Sequence, residues 1–356
     1  MDCKLIKEMI MYDTPKYLKQ KVINQIIANG IGTYKTKSEP ELIQLKNKAM
    51  DEKILECLSK EPATIKVIDL VEISRGYKYL GIFDYTSFNI EKLREKCRCI
   101  ESNYYKNINS ETEELQTIYL EDNDKIYIKF HYKIKVLEKE PTLSYFEVRY
   151  PFLFVLHKNL GILEIRFDKV HIEGYKEYYK YCLNDGLNWL RKNCELEYKY
   201  INLDEIIRAI LENNDDIATD LIWAGELKNS QGITIKAGAD METFFDDLRE
   251  YISKLNMDYA ENSKAQECLS KVTQFLDLTL DLADDKFRTI RWNKYKKNGK
   301  YIELDEYIDF KITFNYGDSM LDVINIYGSE NNDMERIEYV TRIIGEFRKD
   351  FRRVWV

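Results

Sequence analysis

The sequence has neither a long apolar run nor the start of a secreted protein. No uninterrupted apolar stretch reaches the ~18 residues that a membrane-spanning helix needs. The first 21 residues mix acids, lysines and apolar side chains. They lack the apolar centre followed by a small-residue cleavage site that is typical of a signal peptide. These two absences argue for the cytoplasm and against entry into a membrane. We expect a protein of bacterial type.

Cysteine and histidine are sparse and scattered. The seven cysteines are an odd number in 356 residues, which does not favour a disulfide framework. Cys97 and Cys99 form a C-x-C, but no second pair follows at zinc-ligand spacing, and Cys97 continues the apolar face of a predicted helix. The three histidines, His131, His157 and His171, show no ligand spacing. We therefore expect no metal and no cofactor.

Motifs that identify a reaction are also missing. The chain has no phosphate-binding P-loop, no nucleophile elbow and no H-E-x-x-H. The Asn-Gly-Ile-Gly at 29–32 follows no predicted strand and lacks the third glycine of a dinucleotide-binding loop. The sequence thus favours a protein that acts by binding rather than by catalysis.

What the sequence does contain is a run of alternating residues over 117–172. Within residues 125–136 the even positions, from Ile126 to Val136, are apolar or aromatic, whereas the odd positions are mostly lysine. Side chains of a strand alternate between its two faces, so this pattern predicts a half-buried strand. The same alternation returns at 163–168, which indicates a second strand of one meander.

The order of helical and strand patterns predicts an α+β fold of antiparallel β-meanders, each packed by amphipathic helices. We expect a helical N-terminal segment at 1–60 and an α+β domain at 61–200 with the order hairpin, helix, meander, helix. A second α+β domain of similar order is expected at 201–356. Each sheet should bury one apolar face under helices and leave the other face in water.

Two further elements are predicted from short sequence patterns only. A hairpin is predicted at 64–85 because both halves are rich in β-forming residues around Arg75-Gly76. A strand is predicted at 276–282, where leucines alternate with polar residues. Because the element order repeats, an internal duplication of 61–200 and 215–356 is one interpretation.

The net charge is −8, so the whole chain does not attract nucleic acid, but local basic patches can still contact a phosphate backbone. The first candidate surface is the polar face of the predicted strand at 125–136. Its candidate nucleic-acid-binding residues are Lys125, Lys129, His131, Lys133 and Lys135. The alternative is a solvated face on which Glu147 and Glu164 pair with the lysines across strands.

The second candidate is a basic ribbon at 286–300, which holds seven basic residues and no acid. A ribbon of this kind can enter a nucleic-acid groove, and an exposed tryptophan can stack on a base. Its candidate residues are Arg288, Arg291, Trp292, Lys294, Lys296 and Lys297. The alternative is an edge strand that its lysines protect from pairing with another sheet.

Two other functions stay open. A magnesium-dependent nuclease would use Asp309 and Lys311, which form an acid-x-lysine, with Asp277, Asp281 or Glu303 as a second acid. The chain could instead be a structural or adaptor subunit. The expected partner is accordingly nucleic acid or another protein.

Overall fold

The structure is a computed structural model. It describes residues 3–35, 41–102, 117–138, 144–168, 175–213, 218–227, 233–238, 241–281, 283–297, 300–316, 321–327 and 334–354. The chain forms two compact units. Unit 1 comprises Met1–Ile201 and Ser329–Glu346, and unit 2 comprises Asn202–Gly328 and Phe347–Val356.

Unit 1 contains a mostly antiparallel sheet and several helices. The helices are α1 (Cys3–Glu8), continued by a π-helical turn (Met9–Asp13), α2 (Lys16–Ala28), α3 (Met50–Lys60), α4 (Ala63–Ser74), α5 (Ile90–Lys96) and α6 (Tyr175–Cys194). The strands are β1 (Gly32–Thr33), β2 (Ile43–Gln44), β3 (Tyr79–Ser87), β4 (Arg98–Cys99), β5 (Ile118–Glu121), β6 (Lys125–Glu138), β7 (Ser144–His157), β8 (Ile162–Phe167) and β9 (Glu197–Tyr200). Neighbouring strands in the main sheet follow the order β4, β5, β6, β7, β8, β3, β9.

Unit 2 contains a five-stranded antiparallel sheet among its described residues, in the order β11, β10, β12, β13, β14. Its elements are α7 (Leu203–Asn213), β10 (Ala218–Leu227), β11 (Ile233–Gly238), α8 (Met241–Asp258), α9 (Ser263–Asp281), β12 (Ala283–Lys297), β13 (Lys300–Thr313) and β14 (Val323–Tyr327). The last helix, α10 (Met334–Val354), contributes residues to both units. The predicted α+β fold is confirmed, and no described helix is both long and apolar enough to span a bilayer.

The strand predicted at 125–136 is confirmed as part of β6. Its apolar face packs under α6, where the rings of Phe130 and Trp189 lie 5.5 Å apart. Gly186 of α6 lies directly over Phe154 of β7, so closely that an added Cβ would overlap the phenylalanine ring. The apolar side of this sheet is therefore closed by a helix that needs a glycine at the crossing point.

The expectation that the other face stays in water is wrong for a large part of the sheet of unit 1. Lys129, Arg149, Glu164 and Arg166 share that face and have no exposed surface. Helix α4 supplies acidic partners to the first two, and the part of α10 in unit 1 contributes Glu338, which pairs with Lys125 at 2.6 Å. A charged strand face can be buried when packed elements bring opposite charges to it.

The hairpin predicted at 64–85 is wrong in its first half, which forms helix α4. Several β-branched residues suggested a strand, but most of this segment is buried on several sides at once, including Ile65, Ile68 and Val71. Tertiary burial of this kind overrides intrinsic strand preference. The element order of the two halves therefore differs at its first element, and the internal duplication remains a hypothesis.

The strand predicted at 276–282 is also wrong, because residues up to Asp281 belong to α9. Leu269 and Leu276 are seven residues apart and pack with Ile252 and Leu248 of α8. The leucines at 276–280 alternate with polar residues as in a strand, but they lie in a helix, where the seven-residue spacing decides which of them face α8.

Candidate ligand-binding cavity

A buried ion cluster joins helix α4 to the sheet of unit 1. We use this name for Asp69, Glu72, Lys129 and Arg149. Lys129 Nζ lies 2.6 Å from Asp69 Oδ1 and 2.7 Å from Glu72 Oε2. Arg149 donates from Nη1 to Asp69 at 3.1 Å and from Nη2 to Glu72 at 2.7 Å. The i, i+3 spacing of the two acids places them on one side of the helix, facing the two strand cations.

The cluster keeps Glu72 ionised inside the protein. Burial would raise the pKa of Glu72, but the nearby charges of Arg149 and Lys129 outweigh it and hold that pKa well below its usual range. Arg149 in turn stays charged, because Glu72 and Asp69 offset its burial and raise its pKa. Two negative and two positive charges therefore compensate one another within this group.

The same cluster contains a set of metal-ligand atoms. One atom each from Asp69, Glu72 and His131 lies within 4.8 Å of the others, with His131 Nε2 4.0 Å from Asp69 Oδ1. Lys129 and Arg149 already occupy both oxygens of Glu72 and Oδ1 of Asp69, and they balance the charge of the two carboxylates. A divalent ion would add uncompensated positive charge to a buried group, so the geometry favours an ion-pair role over a metal centre.

Beside the ion cluster, unit 1 contains a cavity of about 580 Å³, here called the N-terminal cavity. Its wall is formed by the N-terminal helices, by α4, and by residues near β7 and the end of β8. Its lining includes apolar and aromatic residues, Met9, Ile10, Tyr12, Leu18, Val22, Ile68 and Val71, and polar or charged residues, Asp13, Tyr17, Glu72, Arg75, Lys78, Tyr150 and Asp168. Glu72 therefore belongs to both the cluster and the cavity wall.

An ion pair between Arg75 and Asp168 forms the polar end of the wall. Arg75 Nη1 lies 2.6 Å from Asp168 Oδ2, and the guanidinium lies 4.3 Å from the ring centroid of Tyr77. The backbone N–H of Lys78 donates to Asp168 Oδ1 at 3.0 Å. Burial would lower the pKa of Arg75, but Asp168 outweighs this effect and raises it, so Arg75 stays charged.

Several hydrogen-bond donors in the wall remain unused. Arg75 is only 8% exposed, and its Nε has no hydrogen-bond partner among the described residues. Burial, reinforced by Asp168, raises the pKa of the half-buried Tyr17, whose hydroxyl therefore remains a proton donor at neutral pH. A buried donor without a partner carries a free-energy penalty that a bound acceptor would remove.

The residues predicted on the polar face of β6 divide into three groups. Lys129 and the side chain of His131 are buried, so the prediction that they lie on an open basic surface is wrong. Lys125 is partly buried and pairs with Glu338. Lys133 and Lys135 are exposed, as predicted.

The basic ribbon divides in a similar way. Trp292 is fully buried, which contradicts the prediction that it could stack on a base. Arg288 donates to Asp220 at 3.0 Å, and Arg291 makes two 2.8 Å bonds to Asp309. This part of β12 lies between β10 and β13, because both neighbours pair with it, so it is not an edge.

Beyond Trp292 the pairing changes. In the described strand register, Lys294 pairs with Glu303 and Lys297 with Lys300, while the pairing of β12 with β10 ends at Trp292. The backbone at 294–297 thus forms a two-stranded ribbon with 300–303. The side chains of Lys294, Lys296 and Lys297 lie outside the described residues.

The geometry does not favour a nuclease built on Asp309 and Lys311. Both carboxylate oxygens of Asp309 accept bonds from Arg291, and the Lys311 ammonium lies 3.6 Å from the ring centroid of Phe287. Asp281, considered as a second acid, lies in helix α9, as does Asp277. The side chains of these two acids and of Glu303 lie outside the described residues.

Sequence reasoning did not find the cavity. The sequence pattern places Arg75 in a predicted hairpin turn, and nothing in the sequence connects it with Asp168 or with Tyr17. The available signal was the Asp69 and Glu72 pair within an otherwise apolar segment, because acids in such a segment need buried partners. A scan against protein-family models finds no match, and a search of curated proteins finds no significant relative. The geometry alone therefore carries the functional argument.

Proposed function

We propose that unit 1 binds a small organic molecule in the N-terminal cavity. The observation that carries this proposal is a cavity of about 580 Å³ that combines apolar lining residues with a buried donor, Arg75 Nε, for which the described part of the chain provides no hydrogen-bond partner. Ligand sites are usually concavities of a few hundred Å³ that combine apolar lining with a few placed polar groups.

The ion cluster supports this function by fixing one wall. Helix α4 contributes Ile68 and Val71 to the cavity, and its Asp69 and Glu72 are tied to the strands by Lys129 and Arg149. A wall fixed in this way is pre-organised, so less free energy is lost in ordering it when a ligand binds.

Binding of the uncharged fluorophore N-phenyl-1-naphthylamine tests the proposal. We expect saturable fluorescence enhancement with the wild-type chain. Val71→Trp, which fills the cavity, should abolish this enhancement, whereas Val272→Trp at an exposed position of α9 should leave it unchanged. Lys78→Trp is a second filling variant at a half-buried wall position, for use if Val71→Trp does not fold by circular dichroism.

Two results would contradict the proposal. One is the absence of saturable binding to the wild-type chain. The other is a folded Val71→Trp or Lys78→Trp variant that binds the fluorophore as tightly as wild type, because the binding would then lie elsewhere.

We also propose a second function, nucleic-acid binding by unit 2, because one observation favours it. The backbone at 294–297 and 300–303 pairs as a two-stranded ribbon that carries Lys294, Lys296, Lys297 and Lys300. Such a ribbon can enter a groove and contact phosphates, which makes affinity depend steeply on salt.

Fluorescence anisotropy with mixed-sequence DNA and RNA tests this second function. Changing Lys294, Lys296 and Lys297 together to Glu should weaken binding and reduce the log–log salt slope by about two to three. The matched control changes three exposed lysines of unit 1, Lys180, Lys192 and Lys199, to Glu, which alters net charge by the same amount. Equal effects of the two triple variants would contradict a role for the ribbon.

A further inference from the structure

The polar end of the N-terminal cavity has more unused donors than unused acceptors. Asp168 already accepts from Arg75 at one oxygen and from the Lys78 backbone at the other. Both oxygens of Glu72 accept from Arg149, and Oε2 also accepts from Lys129. These two carboxylates are therefore satisfied from within the protein, and Asp13, a third carboxylate that lines the cavity, is not free either.

The donors on the same wall are not satisfied to the same degree. Arg75 Nε is buried and has no hydrogen-bond partner among the residues that the structure describes. The Lys78 ammonium lies 5.7 Å from the ring centroid of Tyr79, and the described residues place no carboxylate within ion-pair distance of it. The Tyr17 hydroxyl likewise has no hydrogen-bond partner in the described part of the chain. A ligand that reaches this end must supply an acceptor.

Apolar side chains also line the cavity. They include Ile10, Leu18, Val22, Ile68 and Val71, each at most 5% exposed. A ligand's apolar atoms that contact them are removed from water, which favours binding in proportion to the area buried. This part of the lining therefore favours a hydrocarbon chain or ring over a polar group.

We infer that the ligand of the N-terminal cavity is an amphipathic monocarboxylate, with its carboxylate at Arg75, Lys78 and Tyr17 and its apolar part among Ile68, Val71 and Leu18. The inference rests on the proposed function of unit 1. One negative charge suits this end, because Asp168 already neutralises Arg75, whereas no carboxylate among the described residues pairs with Lys78. A dianion such as a phosphate monoester would meet repulsion from the Asp168 and Glu72 carboxylates in the same wall.

Displacement of N-phenyl-1-naphthylamine by three ligands of equal chain length tests the inference. Decanoate, decanol and decylamine share one apolar chain and differ in the charge of the head group. We expect decanoate to displace the fluorophore at about tenfold lower concentration than decanol, because hydrogen bonds between charged groups are stronger than those of a neutral hydroxyl. Decylamine should be the weakest competitor.

Two variants test whether the carboxylate binds at Lys78 and Arg75. Lys78→Gln should weaken decanoate about three- to tenfold and leave decanol unchanged. Lys66→Gln, at another half-buried lysine of unit 1 that does not line the cavity, is the matched control and should change neither. Arg75→Lys keeps the positive charge but removes Nε, and it should also reduce the preference for decanoate over decanol.

The outcomes separate this inference from the proposed function. If the fluorophore binds and decanol competes as well as decanoate, or decylamine competes best, the carboxylate inference is wrong and the cavity remains a ligand site. If Lys78→Gln and Arg75→Lys both keep the full preference for decanoate, the assigned position of the carboxylate is wrong. If the fluorophore does not bind at all, the proposed function itself fails.

Discussion

Lys129 of β6 and Asp69 of α4 form a fully buried ion pair, with 2.6 Å between Nζ and Oδ1 and no exposed surface on either side chain. The pair connects a strand to a helix that lies 60 residues earlier in the chain. Because the same helix walls the N-terminal cavity, this contact links the stability of unit 1 to the shape of its proposed ligand site.

Removing the cation of that pair should destabilise unit 1 strongly. Lys129→Met leaves Asp69 and Glu72 facing Arg149 alone, and breaking a buried pair from one side costs about 3–5 kcal/mol. Urea unfolding followed by circular dichroism measures the effect. Lys135→Met is the matched control, because this residue lies on the same face of β6 but is exposed, and it should change the free energy of unfolding by less than about 0.5 kcal/mol.

The double variant Asp69→Asn with Lys129→Met should recover part of the lost stability, because it removes one charge of each sign. Equal unfolding midpoints for Lys129→Met and Lys135→Met would show that the buried pair does not hold α4 on the sheet.

Acid should destabilise unit 1 through Glu164. Burial would raise the pKa of Glu164, but Arg166 and His157 outweigh it and lower that pKa to about 2. The folded-state pKa lies below the ordinary value of 4.5, so the stabilisation is present above pH 4.5 and is lost as the pH falls toward 2. Unfolding free energies measured over this interval should fall more steeply for wild type than for Glu164→Gln.

The exposed Glu197 provides the control for this pH dependence. Glu197→Gln should keep the wild-type slope. Parallel pH profiles for Glu164→Gln and wild type would contradict the assigned role of the buried carboxylate.

Asp322 in unit 2 should have the opposite pH dependence. Burial raises the pKa of Asp322 from 3.8 to about 6, although its carboxylate accepts from the backbone N–H groups of Asn315 and Leu203. Because the folded-state pKa is raised, the contribution of Asp322 to the free energy of unfolding is fully present below pH 3.8 and is lost as the pH rises through about 6. Between pH 5 and pH 7 the free energy of unfolding should therefore fall by about 1 kcal/mol.

Asp322→Asn tests this prediction, since the amide does not titrate. The difference between the free energies of unfolding at pH 5 and pH 7 should be smaller in the variant by about the amount that Asp322 contributes. If Asp322→Asn and wild type show the same difference between the two pH values, the prediction for Asp322 is wrong.

Adding a methyl group at Gly186, where α6 crosses the sheet, should destabilise unit 1. The Cβ of Gly186→Ala would overlap the ring of the fully buried Phe154, and such overpacking costs about 1–3 kcal/mol. Thermal unfolding measures the loss. The double variant Gly186→Ala with Phe154→Leu should lose less stability than the two single variants lose in sum, because the smaller leucine relieves the overlap. If the two losses simply add, the Gly186 Cβ does not clash with Phe154.

The sequence predicted those elements whose pattern was long. The alternation over residues 125–136 predicted β6, and the α+β class followed from several such patterns. Short patterns failed where tertiary burial decided the outcome, as in α4, whose β-branched residues are buried within a helix. Length made the difference, because a long period-two pattern excludes a helix and a short one does not.

The charged residues could not be assigned from their pattern alone. Lys129 and Lys135 occupy equivalent positions on one strand face, yet one is buried and the other is exposed. The difference comes from Asp69 and Glu72, which the fold brings to Lys129 from a distant helix. The polar end of the cavity depends on the same kind of long-range contact, between Arg75 and Asp168.

Hydrogen–deuterium exchange of the full chain, with and without decanoate, shows whether the ligand binds in the N-terminal cavity. We expect slower exchange on ligand addition in the segments that carry the cavity wall, α2 (Lys16–Ala28) and α4 (Ala63–Ser74), and unchanged exchange in α8 and α9 of unit 2. Protection confined to unit 2, or no protection at saturating decanoate, would contradict a ligand site in the N-terminal cavity.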